Sequence, residues 1–197
     1  PTMWITRHTL TSSLRSLPAK TTALAKTGHV ADYAPPLSPL IHQLKFFRRS
    51  EIASALSRLL LLEVLHARRT TGLQLPDRII SVPLWQRRHW RRGFNQSDLL
   101  CQPLSRWLHC QWDSEAVTRT RATATRIFSV PAAQRNLKNA FRLELPVQGH
   151  HMVIVDDVVT TGSTVAEIAS CFYAMVRRLS RSGAFVEPCR ASMMGVL

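Results

Sequence analysis

Acid is scarce in this chain. Its 197 residues carry 12 Asp and Glu against 26 Lys and Arg, a formal net charge of +14, and no acid precedes Asp32. An excess of this sign attracts anionic partners over long range. It does not distinguish nucleic acid from a phosphorylated small molecule or an acidic surface. Cysteine is sparse as well: Cys101, Cys110, Cys171 and Cys189 form no Cys-x-x-Cys pair. That spacing suits no zinc ribbon, and the chain is too large and cysteine-poor for a secreted disulfide scaffold. Free thiols, no bound zinc and a cytoplasmic location are the expectation. No run approaches the roughly 20 consecutive apolar residues of a membrane span. The cluster Leu59 to Leu62 lies between Arg58 and Glu63 and reads as the buried stripe of a soluble helix. Internal repeats and low-complexity tracts are absent. The eight histidines are scattered and outline neither a hydrolase triad nor a metal cluster; His150-His151 reads as a solvated turn.

What is present is ordinary for a soluble domain: 45% hydrophobic and 19% charged residues, in a length that suits one core. Residues 1–31, with Arg7, Arg15, Lys20 and Lys26 among many Ser and Thr, have the composition of an organelle transit peptide. We take them as a poorly structured extension, with order beginning near Asp32 and one domain over 32–197. Ser38-Pro39 is a helix start, with Ile41 and Leu44 on the face that follows. Ser50-Glu51 starts a second helix that ends in Arg68-Arg69 before Gly72. Ile79, Ile80 and Val82 make a short strand stopped by Pro83. Arg87 to Gly93 reads as a loop of arginines. Asn95, with Asp98 three residues on, caps a helix that packs through Leu99, Leu100, Leu104, Trp107 and Leu108. Arg135 to Phe141 suggests a short helix.

The chemistry is concentrated in Met152 to Thr164, MVIVDDVVTTGST. A continuous apolar run suits a central strand of a parallel sheet covered on both faces. The following helix carries Val165, Ile168, Phe172, Met175 and Leu179 on one side, so strand, loop and helix form half of a βαβ unit. Ligands of open α/β sheets bind at the carboxyl ends of the strands. A helix N-terminus there offers unpaired N–H groups to phosphate. Gly162 lets the backbone approach an anion, and Thr160, Thr161, Ser163 and Thr164 add hydroxyl donors. Asp156 and Asp157 need another role, because acids repel phosphate. They suit the paired hydroxyls of a ribose, or a Mg²⁺ that travels with a pyrophosphate. Acids on the sugar and donors on its 5′-phosphate together describe a ribose 5-phosphate group.

This string resembles the phosphoribosyl pyrophosphate signature of type I phosphoribosyltransferases. Lys45-Phe46, Val82-Pro83-Leu84, Arg92-Gly93-Phe94-Asn95-Gln96, Arg135-Asn136 and Ala140-Phe141, in that order, resemble the competence protein F (ComF/GntX) family. The likeness covers roughly Asp32 to Ala169. It implies an α/β, Rossmann-like type I phosphoribosyltransferase fold, a mostly parallel sheet with flanking helices, and a role in taking up or using external DNA. Carried onto this chain, Val155, Asp156 and Asp157 border the ribose, Thr160, Thr161, Gly162, Ser163 and Thr164 wrap the 5′-phosphate, and Arg91 and Arg92 approach the pyrophosphate. Asp156, Asp157 and Arg92 are the expected catalytic residues, and the two aspartates the expected Mg²⁺ ligands. Transfer would displace pyrophosphate at the anomeric carbon, with arginine and Mg²⁺ stabilising leaving-group charge.

Three features depart from the family pattern. The four-cysteine zinc ribbon with which members commonly open is missing, Arg126 to Gln134 lacks the Gln that usually follows the Thr125 position, and the ending over 170–197 is unfamiliar and arginine-rich. Each time the likeness stops abruptly, as a change of reading frame would produce. A second functional reading uses the same fold as a non-catalytic adaptor for single-stranded DNA or the DNA-uptake machinery. Trp85, Trp90 and Phe94 interleave with Arg87, Arg88, Arg91 and Arg92, and single strands bind where stacking faces lie beside positive charge.

Overall fold

Two apolar runs set the centre of the fold. In a computed structural model, which describes residues 24–29, 34–47, 49–120, 140–146, 149–158, 163–181 and 190–195, strand β2 (Arg78–Ser81) lies parallel to β6 (His151–Asp156). Ile79 is opposite Val153, Ile80 opposite Ile154 and Ser81 opposite Val155. Side chains alternate across a strand, so Ile79, Val153 and Val155 enter one core while Ile80, Met152 and Ile154 enter another. Both faces are covered. That is why residues 152–155 show no polar alternation.

Strands β1 (Leu24–His29), β3 (Gln111–Asp113) and β7 (Arg190–Gly195) complete a five-stranded sheet in the order β1-β7-β6-β2-β3, every neighbouring pair parallel. One face carries α1 (Leu37–Phe47), α2 (Ser50–Thr71) and α4 (Gln96–Leu108), which bury Ile41, Leu44, Leu56, Leu60, Leu100 and Leu104. Ser57 in α2 binds α4 directly, donating from Oγ to the carbonyl of Leu100 at 3.0 Å. The other face carries α5 (Ser163–Arg181) through Val165, Ile168 and Phe172. It also carries a separate antiparallel ribbon of β4 (Val117–Arg119) and β5 (Phe141–Leu143). The result is the expected α/β, Rossmann-like arrangement. No helix among the described residues is long and apolar enough to cross a membrane.

Several local expectations are met for the reasons given. The second helix ends on Gly72 at φ 64°, with Arg68 and Arg69 in its last turn. Asn95 caps α4, its side chain accepting from Ser97 N at 3.3 Å. Others are corrected. The first helix begins at Leu37, where Leu37 N and Ser38 N both donate to the carbonyl of Ala34, so Ser38 lies inside it. The arginine loop is instead a helix, α3 (Gln86–Arg92), stopped by Gly93 at φ 72° with its N–H on the carbonyl of His89. A run of good helix formers before a left-handed glycine is a helical pattern in itself, and its charge concealed it. Trp107 is 36% exposed, 6.0 Å beneath Arg58, rather than in the packing face of α4.

Phe141 starts a strand, not the end of a helix, and Ala140 before it is not helical; residues 135–139 of that expected helix lie outside those described. His151 is buried rather than in a solvated turn. Its backbone N–H donates to Asp77 Oδ2 at 2.6 Å, and its Nδ1 lies 3.2 Å from the carbonyl of Leu75. Among the described residues, regular structure is present ahead of Asp32, in β1, which pairs with β7 through Leu24 and Ala191, and Gly28 and Met194. The expected atypical ending, 170–197, supplies most of α5 and the inner strand β7. Pairing between the two ends of a chain leaves no short-range pattern in either segment, which is why periodicity did not mark them.

Candidate functional site

The chain leaves β2 toward β3 on one flank, and leaves β6 toward β7 on the other. The carboxyl ends of β2 and β6 therefore part at a topological switch point, the usual place for a ligand in an open parallel sheet. Val82 N donates to the carbonyl of Val155 at 3.0 Å, which keeps the two strands together up to that point. Asp156 is the last residue of β6, and Asp157 follows it into the crevice.

The two carboxylates are held differently. Asp156 Oδ1 accepts from Asp157 N at 2.9 Å, which draws the first carboxyl back against the chain. Asp157 Oδ2 lies 3.1 Å from Lys45 Nζ, with side-chain exposures of 13% and 24%. Burial pushes the Asp156 carboxyl well above the usual carboxylate range, and the neighbouring Asp157 adds to the rise. The Asp157 backbone N–H and the Lys45 ammonium oppose it. A second acid beside it disfavours ionisation of Asp156.

The remaining expected residues divide into those near this corner and those elsewhere. Val155 has its side chain in the core with Ile79 and Leu100. Thr160, Thr161 and Gly162 lie outside the described residues. Ser163 opens α5, and Thr164 stands half-buried in its first turn. Arg91 is exposed at the end of α3. Arg92 is half-buried, with its guanidinium 5.5 Å from the ring centre of Phe46. Phe46 follows Lys45 at the end of α1. One helix end thus brings a cation to the acids and a ring to the arginine.

Lys45 is the site residue that the site reading missed. Its place in the last turn of an amphipathic helix is common for lysine, and nothing in the local spacing links it to residue 157. Gln96 was missed too, except as part of a family likeness. It is the first residue of α4, 2% exposed, and its Oε1 has no hydrogen-bond partner among the described residues. Beside it Asp98 is also pushed up by burial, against a hydrogen bond from Asn95 at 3.0 Å.

Hard oxygen donors on two adjacent carboxylates fit a divalent cation such as Mg²⁺, which takes one or two carboxylates and completes its shell with water or phosphate. Asp157 Oδ2 is buried, lies 3.1 Å from Lys45 Nζ and, among the described residues, accepts no hydrogen bond. Among the described residues no three His, Cys, Asp or Glu side chains gather as a metal site.

The chain matches no protein-family profile. It is 93% identical over 141 residues to DNA utilization protein YhgH of Shigella flexneri, which covers 71% of this chain and 62% of that protein. The protein of the same name from Escherichia coli strain K12 is 92% identical over the same extent. Competence protein F of Haemophilus influenzae is 47% identical over 146 residues, covering 71% of this chain and 63% of its own length. This chain therefore spans less than two thirds of the length of the curated relatives it matches.

Proposed function

We propose, for a chain that belongs over its matched residues to the family of competence protein F and DNA utilization protein YhgH, that the crevice beside β6 binds phosphoribosyl pyrophosphate. The observation that carries this reading is the carboxylate pair at the switch point. Asp156 is fixed by the Asp157 N–H and Asp157 faces a cation, at the strand end where this fold class receives its ligands. Carboxylate oxygens accept from the vicinal hydroxyls of a ribose. The start of α5 supplies backbone donors suited to the 5′-phosphate.

Mg²⁺ bound with the ligand would neutralise pyrophosphate charge. The chain's own contribution is to orient the sugar through Asp156 and Asp157 and to place Arg92 and Arg91 on the pyrophosphate side. A transfer at this site would break the bond from the anomeric carbon to pyrophosphate and form one to an acceptor. The acceptor pocket belongs to loops that differ freely within a fold. Calorimetric titration with phosphoribosyl pyrophosphate and Mg²⁺ tests the reading. Binding is expected for the unmodified chain and lost in Asp156→Asn with Asp157→Asn; no heat with the unmodified chain would refute it.

A second reading has its own support. Phe46 and Phe47 at the end of α1 are 54% and 67% exposed, Trp90 near the basic end of α3 is 86% exposed, and two of the relatives are named for DNA utilization. Large exposed rings beside arginines suit stacked bases of single-stranded DNA. On this reading the chain acts in DNA uptake or use as an adaptor. Oligonucleotide binding that weakens steeply with salt and persists in the double aspartate variant would favour it over the first.

A further inference from the structure

Lys45 and Asp157 come from opposite ends of the fold, one closing α1 and the other following β6. A pair this enclosed is not a surface salt bridge, and burying its charges carries a desolvation cost that mutual attraction offsets only with good geometry. The geometry is not good. Asp157 Oδ2 lies 3.1 Å from the ammonium yet, among the described residues, accepts no hydrogen bond. The ammonium neutralises the carboxylate without satisfying it. Lysine suits that role and no tighter one, being a compact, strongly hydrated charge on a flexible stem.

The atom that Lys45 neutralises is the one with lone pairs for a divalent cation. An ammonium and a metal ion held at one carboxylate repel each other, so a cation that enters competes with the lysine for Asp157. Once displaced, Lys45 remains tethered at the end of α1, where the next residue, Phe46, lies under Arg92. Its free ammonium then has three donors in the corner that the phosphates enter.

We propose that Lys45 is a further ligand-binding residue, whose ammonium holds the place of a divalent cation on Asp157 in the free protein. When the cation accompanying a pyrophosphate-bearing ligand takes that place, the ammonium pairs with the ligand's phosphate. The proposal rests on the ribose-phosphate reading of the crevice. It requires removal of one positive charge to act in opposite directions on two ligands, which a packing role would not do.

Lys45→Met and Lys45→Arg test it in calorimetric titrations with Mg²⁺ alone, and with phosphoribosyl pyrophosphate at saturating Mg²⁺. Lys45→Met is expected to bind Mg²⁺ alone about tenfold more tightly than the unmodified chain, because its competitor is gone. It is expected to bind phosphoribosyl pyrophosphate about tenfold more weakly, the scale of one charge-assisted hydrogen bond. Lys45→Arg should restore both affinities, and adding Asp157→Asn to Lys45→Met should abolish the gain in Mg²⁺ binding. Unchanged or weaker Mg²⁺ binding in Lys45→Met overturns the proposal, as does loss of both affinities together. Absence of phosphoribosyl pyrophosphate binding by the unmodified chain overturns instead the reading of the crevice, and the Mg²⁺ titration still decides the exchange at Asp157.

Discussion

Asn95 donates from Nδ2 to the carbonyl oxygen of Val82 at 3.0 Å, across thirteen positions of chain. The same side chain caps α4 through Ser97 N and donates to Asp98 Oδ1. One carboxamide therefore clasps both ends of the segment 82–95, which carries α3. A capping role alone would need only the oxygen.

Asn95→Ala removes the cap and both donated bonds at a buried position, leaving the Val82 carbonyl without this partner. The expected cost is about 2–3 kcal/mol, a lost cap plus an unpaired buried acceptor. Asn95→Asp keeps the acceptor for Ser97 N, loses the donors and adds a charge beside Asp98, so it should not recover that loss. Chemical denaturation measures both. A loss under about 0.5 kcal/mol for Asn95→Ala, the range of ordinary surface changes, would show that the segment is not held by this clasp.

Asp156 makes stability depend on pH with a definite sign. Its carboxyl is raised in the folded chain, so the folded state keeps a proton that the unfolded state has released. Stability is therefore greatest below the usual carboxylate range and falls as the pH rises through the raised value. Asp156→Asn removes this loss while its carbonyl can still accept from Asp157 N. The variant should be more stable than the unmodified chain at neutral pH, by on the order of 1 kcal/mol as for other relieved functional sites. Thermal unfolding at a series of pH values checks this: the gap should close below pH ~4, and a gap that widens on acidification would contradict it.

Phe172 and Trp90 are both large aromatics on helices, and the fold separates their energetic roles. Phe172 is fully buried between α5 and the sheet, whereas Trp90 is 86% exposed on α3. Phe172→Ala should cost about 3–5 kcal/mol, as expected for a core truncation that leaves a cavity. Trp90→Ala should stay within about 0.5 kcal/mol. Urea midpoints read both. If Trp90→Ala also weakens oligonucleotide binding without changing the midpoint, the adaptor reading gains its stacking residue.

The sequence by itself determined the features that depend on neighbours in the chain. Ile79 and Ile80, and the run over 152–155, announced two central strands because a strand buried on both faces needs no polar alternation. Asn95 and Gly72 announced helix ends because capping is a matter of one or two residues. The acids Asp156 and Asp157 announced a candidate site because their place at the end of a buried strand puts them at the edge where parallel sheets receive ligands. Tertiary structure alone decided what those acids face. Lys45 reaches Asp157 only because α1 packs over the sheet end, and Phe46 reaches Arg92 only because α3 folds back beside it. The parallel pairing of β1 with β7 and the burial of His151 against Leu75 are of the same kind. Contacts between distant segments are selected by the packing of whole elements, so they impose no period or spacing on either partner.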